Sequence, residues 1–164
     1  MGRIAAIVLT VVTIVAGVYW WVSPVDRTAA VRARLEALAQ MVNNSTVDGL
    51  GPEARAAQLG MFFTTDVEVD LGQGTAPIRG RDTVVGMAAR LQPRTAAFQL
   101  QFEDVSVAVD DGNQSADVHL TAEFIRRSMA TGEESLDARE FMLGMRRVDG
   151  VWQIARVTAV DTLK

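Results

Sequence analysis

Three residues of this chain stand out as candidates to move protons: His119, its sole histidine, and the aspartates Asp66 and Asp70, both in one short alternating segment. A carboxylate or an imidazole works as a general base when it is partly buried and held by a partner. Asp66 and Asp70 alternate with Val67, Val69 and Leu71, so the simpler expectation is a pair of solvated strand residues. His119 shares parity with Asp117, Thr121 and Glu123, opposite the apolar row Val118, Leu120 and Ala122. If that row faces the core, His119 lies on the outer face of its sheet. With the faces reversed, His119 and Glu123 enter a pocket together as an acid-base pair. One histidine and no cysteine exclude a multi-histidine or thiolate metal site, a disulfide and a cysteine nucleophile, and no metal or other cofactor is expected. A Ser-His-Asp relay lacks the Gly-x-Ser-x-Gly turn that would present its nucleophile.

Another set of residues could shape a cavity without reacting. Phe62, Phe63, Phe98, Phe102, Val118, Leu120, Phe124 and Trp152 are candidates to line a pocket, although side chains at such strand and helix spacing more often form plain core. A cavity walled by them with few buried charges suits an apolar ligand. Arg126-Arg127 and Arg146-Arg147 are expected to complement Glu133, Glu134 and Glu140 across a sheet, or else to present a small patch to an anionic partner.

The elements that must position these residues follow a long apolar run. From Ile4 to Val22 there is no charge, and nineteen residues span roughly 28 Å as a helix, close to the thickness of a bilayer's hydrocarbon core. Only Thr10 and Thr13 interrupt it, and both can bond back to helix carbonyls. The competing reading is a cleaved secretory signal, but the run closes on Tyr19, Trp20, Trp21 and Val22, aromatics suited to a headgroup layer and unlike the small residues of a cleavage site. Residues 1–25 are therefore read as a transmembrane signal-anchor in a cell membrane, and 26–164 as one domain. Arg27, Arg32 and Arg34 after the span favour a cytoplasmic domain by simple charge count; a basic start before a signal-anchor favours an extracytoplasmic, periplasmic one, which is preferred. Removing Arg3 leaves fifteen basic against twenty acidic residues, a formal charge of −5 that disfavours nucleic acid as a partner. Arginine so far outnumbers lysine that a GC-rich bacterial genome is indicated.

Pro24 makes a hinge, after which Val31, Leu35, Leu38 and Val42 form the buried stripe of a helix over about 28–42, with Arg32, Arg34, Glu36 and Gln40 in water. A second helix begins at Pro52 and carries Ala56, Ala57, Leu59, Gly60 and Phe63 inward. The period changes to two from Asp66, and a third helix runs from Gly80-Arg81-Asp82 to Leu91 with Asp82 as its N-cap. Four longer strands follow. In the first, Phe98, Leu100 and Phe102 share one parity and Val105, Val107 and Val109 the other, which predicts a β-bulge at Glu103-Asp104. Turns are expected at Asp110-Asp111-Gly112-Asn113 and at Asp149-Gly150. The class is α+β: three helices on one strongly bent antiparallel sheet.

This order, with Phe62-Phe63-Thr64-Thr65-Asp66-Val67, Ile78-Arg79-Gly80-Arg81-Asp82 and Asp149-Gly150-Val151-Trp152-Gln153-Ile154, resembles the cone-shaped nuclear transport factor 2-like and SnoaL-like superfamily, of cystatin-like fold, over roughly residues 28–162. The resemblance implies a helix-to-strand entry, a glycine-capped third helix and a final hairpin. It also brings several functions, because the cone hosts isomerases, dehydratases, cyclases, binding modules and secretion scaffolds. The tyrosine of the ketosteroid-isomerase branch has no counterpart, since Tyr19 is the only tyrosine. The expectation is a non-catalytic, membrane-anchored domain that binds an envelope protein, a second copy through its sheet, or a small apolar molecule. The alternative is a tethered isomerase or lyase using a carboxylate or His119.

Overall fold

A computed structural model describes residues 26–44, 51–72, 74–91, 96–128 and 131–160. Helix α1 spans Arg27–Asn44, α2 Pro52–Gly60 and α3 Arg81–Leu91; the strands are β1 Phe63–Asp70, β2 Ile78–Arg79, β3 Ala96–Val109, β4 Ser115–Ser128, β5 Glu134–Val148 and β6 Val151–Ala159. They form one six-stranded sheet in the order β2-β1-β6-β5-β4-β3. The apolar segment Ile4 to Val22 lies outside the described residues, and among those described no helix is long and apolar enough to cross a membrane.

The sheet is mixed, not wholly antiparallel as expected. β3 to β6 run as an antiparallel meander, but β1 lies parallel to β6. Short turns force antiparallel pairing only between consecutive strands. β1 reaches β6 through the whole intervening chain, so nothing local dictates its direction.

The bulge at the parity switch is present. β3 and β4 lose register between Glu103 and Ser106, and Asp104 sits at φ 52°, a left-handed conformation that aspartate tolerates better than most residues. Phe102 opposes Ala122 before the bulge and Val107 opposes Val118 after it, so the apolar residues of both halves meet the same inner face. The expected turns close as read: Asp149 and Gly150 take φ 49° and 81°, the positive pair of a two-residue hairpin turn.

Helix α1 packs mainly on β3 and buries Val31, Leu35 and Leu38 against Leu100, Ala116, Val118, Leu120, Met145, Trp152 and Ile154. Asp26 starts the helix, its carboxylate accepting from the Thr28 backbone N–H and hydroxyl at 2.9 and 2.7 Å. Two polar side chains then fasten it. Arg34, expected in water, is half-buried over the Phe62 ring at 4.1 Å and donates to the backbone carbonyls of Trp152 and Met61, and this burial lowers its pKa. Asn43 pairs with both backbone groups of Leu100, donating to its carbonyl at 3.0 Å and accepting from its N–H at 2.7 Å. The amide takes the place of a neighbouring strand along the outer edge of β3.

Two local expectations change. α2 ends at Gly60, so Phe63 enters β1 instead of extending the helix, and Ala57 is exposed. Asp82 is not the N-cap of α3 but lies in its first turn, because Gly80 at φ 87° makes the turn from β2 and its carbonyl accepts from Val84. The carboxylate still favours the positive helix end.

Replacing Asn43 by alanine strands two partly buried backbone groups, and about 1–3 kcal/mol of unfolding free energy should be lost in urea titrations. Asn44→Ala, one residue on and exposed, should leave the midpoint nearly unchanged.

Candidate functional site

The apolar row of β4 faces inward: Ala116, Val118, Leu120 and Ala122 are buried, and His119 is exposed on the opposite face. Glu123 shares that outer side, so the reversed arrangement, with His119 and Glu123 inside a pocket, does not occur. Asp66 and His119 nevertheless line one feature, an open groove of ≈ 720 Å³ across β1, β6, β5 and β4 on the outer face of the sheet. Three strand spacings separate β1 from β4, roughly 14 Å, too far for a direct hydrogen bond between the two side chains.

Each aspartate is already engaged. Asp66 forms an ion pair with Arg146. The Thr64 hydroxyl, itself buried, lies against the Asp66 carboxylate without the geometry of a full hydrogen bond, and with Arg146 it holds that carboxyl below its usual range. Asp70 accepts from the Gly72 backbone N–H at 2.9 Å and shapes the turn after β1. Of the basic pairs, Arg127 meets Glu134 as expected, Arg146 meets Asp66 instead of a glutamate, and Arg147 donates to the Gly150 carbonyl. Thr64, Arg34 and Asn43 are the polar side chains that sequence reasoning missed. Arg34 and Asn43 act through contacts far along the chain, while Thr64 acts on Asp66 two residues ahead and is singled out only by its burial.

The inner face is apolar. Of the pocket-lining candidates, Phe62, Val118, Leu120 and Trp152 are buried core, while Phe63, Phe102 and Phe124 are only partly covered. Phe98 and Phe141 join them, with the Phe98 and Phe124 rings 5.8 Å apart. Among the described residues no cluster of histidine, aspartate and glutamate could hold a metal ion.

The model of the SnoaL-like domain matches residues 46–158. The chain belongs to the SnoaL-like family. No curated protein sequence matches it. Solved structures share the fold of this SnoaL-like chain at low identity. A candidate scytalone dehydratase from Novosphingobium aromaticivorans is 14% identical with a TM-score of 0.64, covering 83% of this chain and 84% of its own. ActVI-ORFA from Streptomyces coelicolor is 11% identical with a TM-score of 0.65, covering 82% and 97%. A candidate aromatic ring hydroxylase from Novosphingobium aromaticivorans is 18% identical with a TM-score of 0.66, covering 86% and 92%.

Among the described residues, three carboxylates are ionised more readily in the folded SnoaL-like domain than in the unfolded chain. Asp26 is held low by the Thr28 hydroxyl and backbone, Asp66 by Thr64 and Arg146, and Asp110 by the backbone N–H groups of Ser115, Gln114 and Gly112. A depressed carboxyl stabilises the fold above its unfolded pKa, about 3.9 for aspartate, and that contribution disappears as pH falls through the lower folded value. Thermal midpoints should therefore be flat from pH 7 to 5 with respect to these groups and drop below about pH 4. Asp110→Asn should flatten the acid slope while lowering the midpoint at pH 7.

Proposed function

We propose that this chain is a membrane-tethered, non-catalytic SnoaL-like domain that binds a small apolar molecule against the inner face of its sheet. The observation that carries the reading is the division of side chains between the two faces. The ionisable candidates Asp66 and His119 stand on the outer face, whereas the inner face continues from buried core into the partly covered rings of Phe63, Phe102, Phe124 and Phe141. A general base has to reach the bound molecule, and an exposed or ion-paired group on the far side of a sheet does not. Apolar walls with few charges select an apolar ligand by area removed from water. The length of Ile4 to Val22 and its aromatic close support a tether that would hold the domain at the membrane surface, on the extracytoplasmic side, where apolar molecules partition.

The second reading is a tethered lyase or isomerase, favoured by the fold shared with a candidate scytalone dehydratase. The two readings separate in one experiment. The full chain is purified from membranes in mild detergent, and the small molecules retained by it are identified by native mass spectrometry. A hydrophobic molecule should stay bound, should be lost in Phe102→Asp, and should persist unchanged in the Asp66→Asn/His119→Ala double variant. Turnover of the retained molecule by the wild type, abolished in that double variant, would overturn the binding reading in favour of the enzyme. Alkaline carbonate washing should leave the full chain in the membrane pellet and release a form lacking residues 4–22; release of both forms would dispose of the tether.

A further inference from the structure

One end of the domain gathers exposed apolar side chains beside the point where the chain enters it. Helix α1 starts there: the Arg27 guanidinium donates to the Asp111 carbonyl at 3.3 Å, in the turn between β3 and β4. The turn between β5 and β6 lies alongside, since Ser115 pairs with Arg146 and the Arg147 N–H donates to the Gln114 carbonyl at 2.8 Å. Val148 and Val151 oppose each other across that turn, 38% and 44% exposed. Met61, 57% exposed, is held close by, because the side chains of Arg34 and Gln153 both donate to its carbonyl. None of the three belongs to the core or packs against it. The charges at this end are Asp26, Asp110, Asp111 and Asp149 against Arg27 and Arg147, so acids outnumber bases.

We infer that this end of the domain rests on the headgroup layer of the bilayer that holds the chain, with the hairpin between β4 and β5 pointing away from it. The inference rests on the tether reading above and is independent of the apolar ligand. Chain length supplies the constraint: only Ser23, Pro24 and Val25 separate Val22, the end of the apolar run, from Asp26, and four residue steps reach about 14 Å at most. The headgroup layer is itself about 5–7 Å thick on each side of the hydrocarbon core. The domain therefore cannot stand clear of the surface, and the end that carries Asp26 is the one that meets it. Met61, Val148 and Val151 are then withdrawn from water into the interface, where apolar side chains are more stable than in solvent. The excess of acids disfavours an anionic surface and suits zwitterionic headgroups. From Ser115 to Phe124, β4 runs about 30 Å away from this end. The partly covered ring of Phe124, with Phe98 against it, accordingly faces the aqueous side and not the bilayer.

The absence of cysteine lets the contact be read position by position. The full chain, carrying Val151→Cys or Leu136→Cys labelled with a nitrobenzoxadiazole fluorophore, is reconstituted into phosphatidylcholine vesicles with and without a nitroxide on the lipid headgroup. Leu136, 62% exposed near the start of β5, reports the far end. Both side chains are exposed, so both variants should keep the wild-type far-ultraviolet circular dichroism. The nitroxide should quench the label at 151 about twofold and leave the label at 136 nearly unchanged. Lengthening the connection by about ten Gly and Ser residues after Val25 should preserve the quenching, because the surface itself holds on. The same insertion combined with Met61→Asp and Val148→Asp should remove it. Equal quenching at both positions, quenching at 136 alone, loss of quenching on lengthening alone, or a blue-shifted but unquenched label at 151, the sign of protein cover, would each overturn the inference while a carbonate-resistant chain left the tether standing. Release of the chain by alkaline carbonate would dispose of tether and inference together.

Discussion

A fourteen-residue strand must face the core on both sides of a change of direction, and the bulge in β3 is what permits it. Without the extra residue at Glu103-Asp104, either Phe98, Leu100 and Phe102 or Val105, Val107 and Val109 would turn to water, because one residue of slip moves a whole strand's side chains to the other face. Asp104 takes on a left-handed backbone conformation, a local cost of about 1–2 kcal/mol that the burial of several branched and aromatic side chains outweighs. The bend also gives the sheet its hollow side. α1 lies in that hollow with Val31, Leu35 and Leu38, and Asn43 completes the hydrogen bonding of Leu100 just before the bend. Arg34 closes the other end by tying the helix to Met61 and Trp152.

Bending the sheet in this way gives its two faces different chemistry. The inner face is committed to apolar packing, with partly covered aromatic rings where the core ends. The outer face collects the charges, several of them matched between strands: Glu68 with Arg79, Arg127 with Glu134, and Asp66 with Arg146 across the intervening β6. The two candidate aspartates are engaged in structure, Asp66 with Arg146 and Asp70 in its turn, and Asp110 organises the hairpin between β3 and β4. Membership of the SnoaL-like family supplies the frame without supplying a reaction, since the reacting groups of a fold are grafted residue by residue.

Local periodicity made most of this frame legible from the residues alone. The alternation of Val118, Leu120 and Ala122 against His119 and Glu123 gave the faces of β4, and the parity switch located the bulge to within its own residues. The two hairpin turns followed from their aspartates and glycines. Long-range choices were not legible in that way. The parallel pairing of β1 with β6 depends on where the chain returns, and Arg34 looked solvated because its partners, Met61 and Trp152, lie far along the chain. Asp82 carries the composition of an N-cap, but the positive φ of Gly80 makes the turn two residues earlier. Ile4 to Val22 lies outside the described residues and stands on its sequence alone.

The separation of the two faces depends on which way β4 presents its side chains, and the cysteine-free chain allows that to be measured directly. Single cysteines at His119 and at its neighbour Leu120 would be timed for labelling by a soluble maleimide. Position 119 should be labelled within seconds to minutes, and position 120 only at the rate of unfolding. Protection at 119 with rapid labelling at 120 would contradict it, because the imidazole would then face the cone and the case against catalysis would fail.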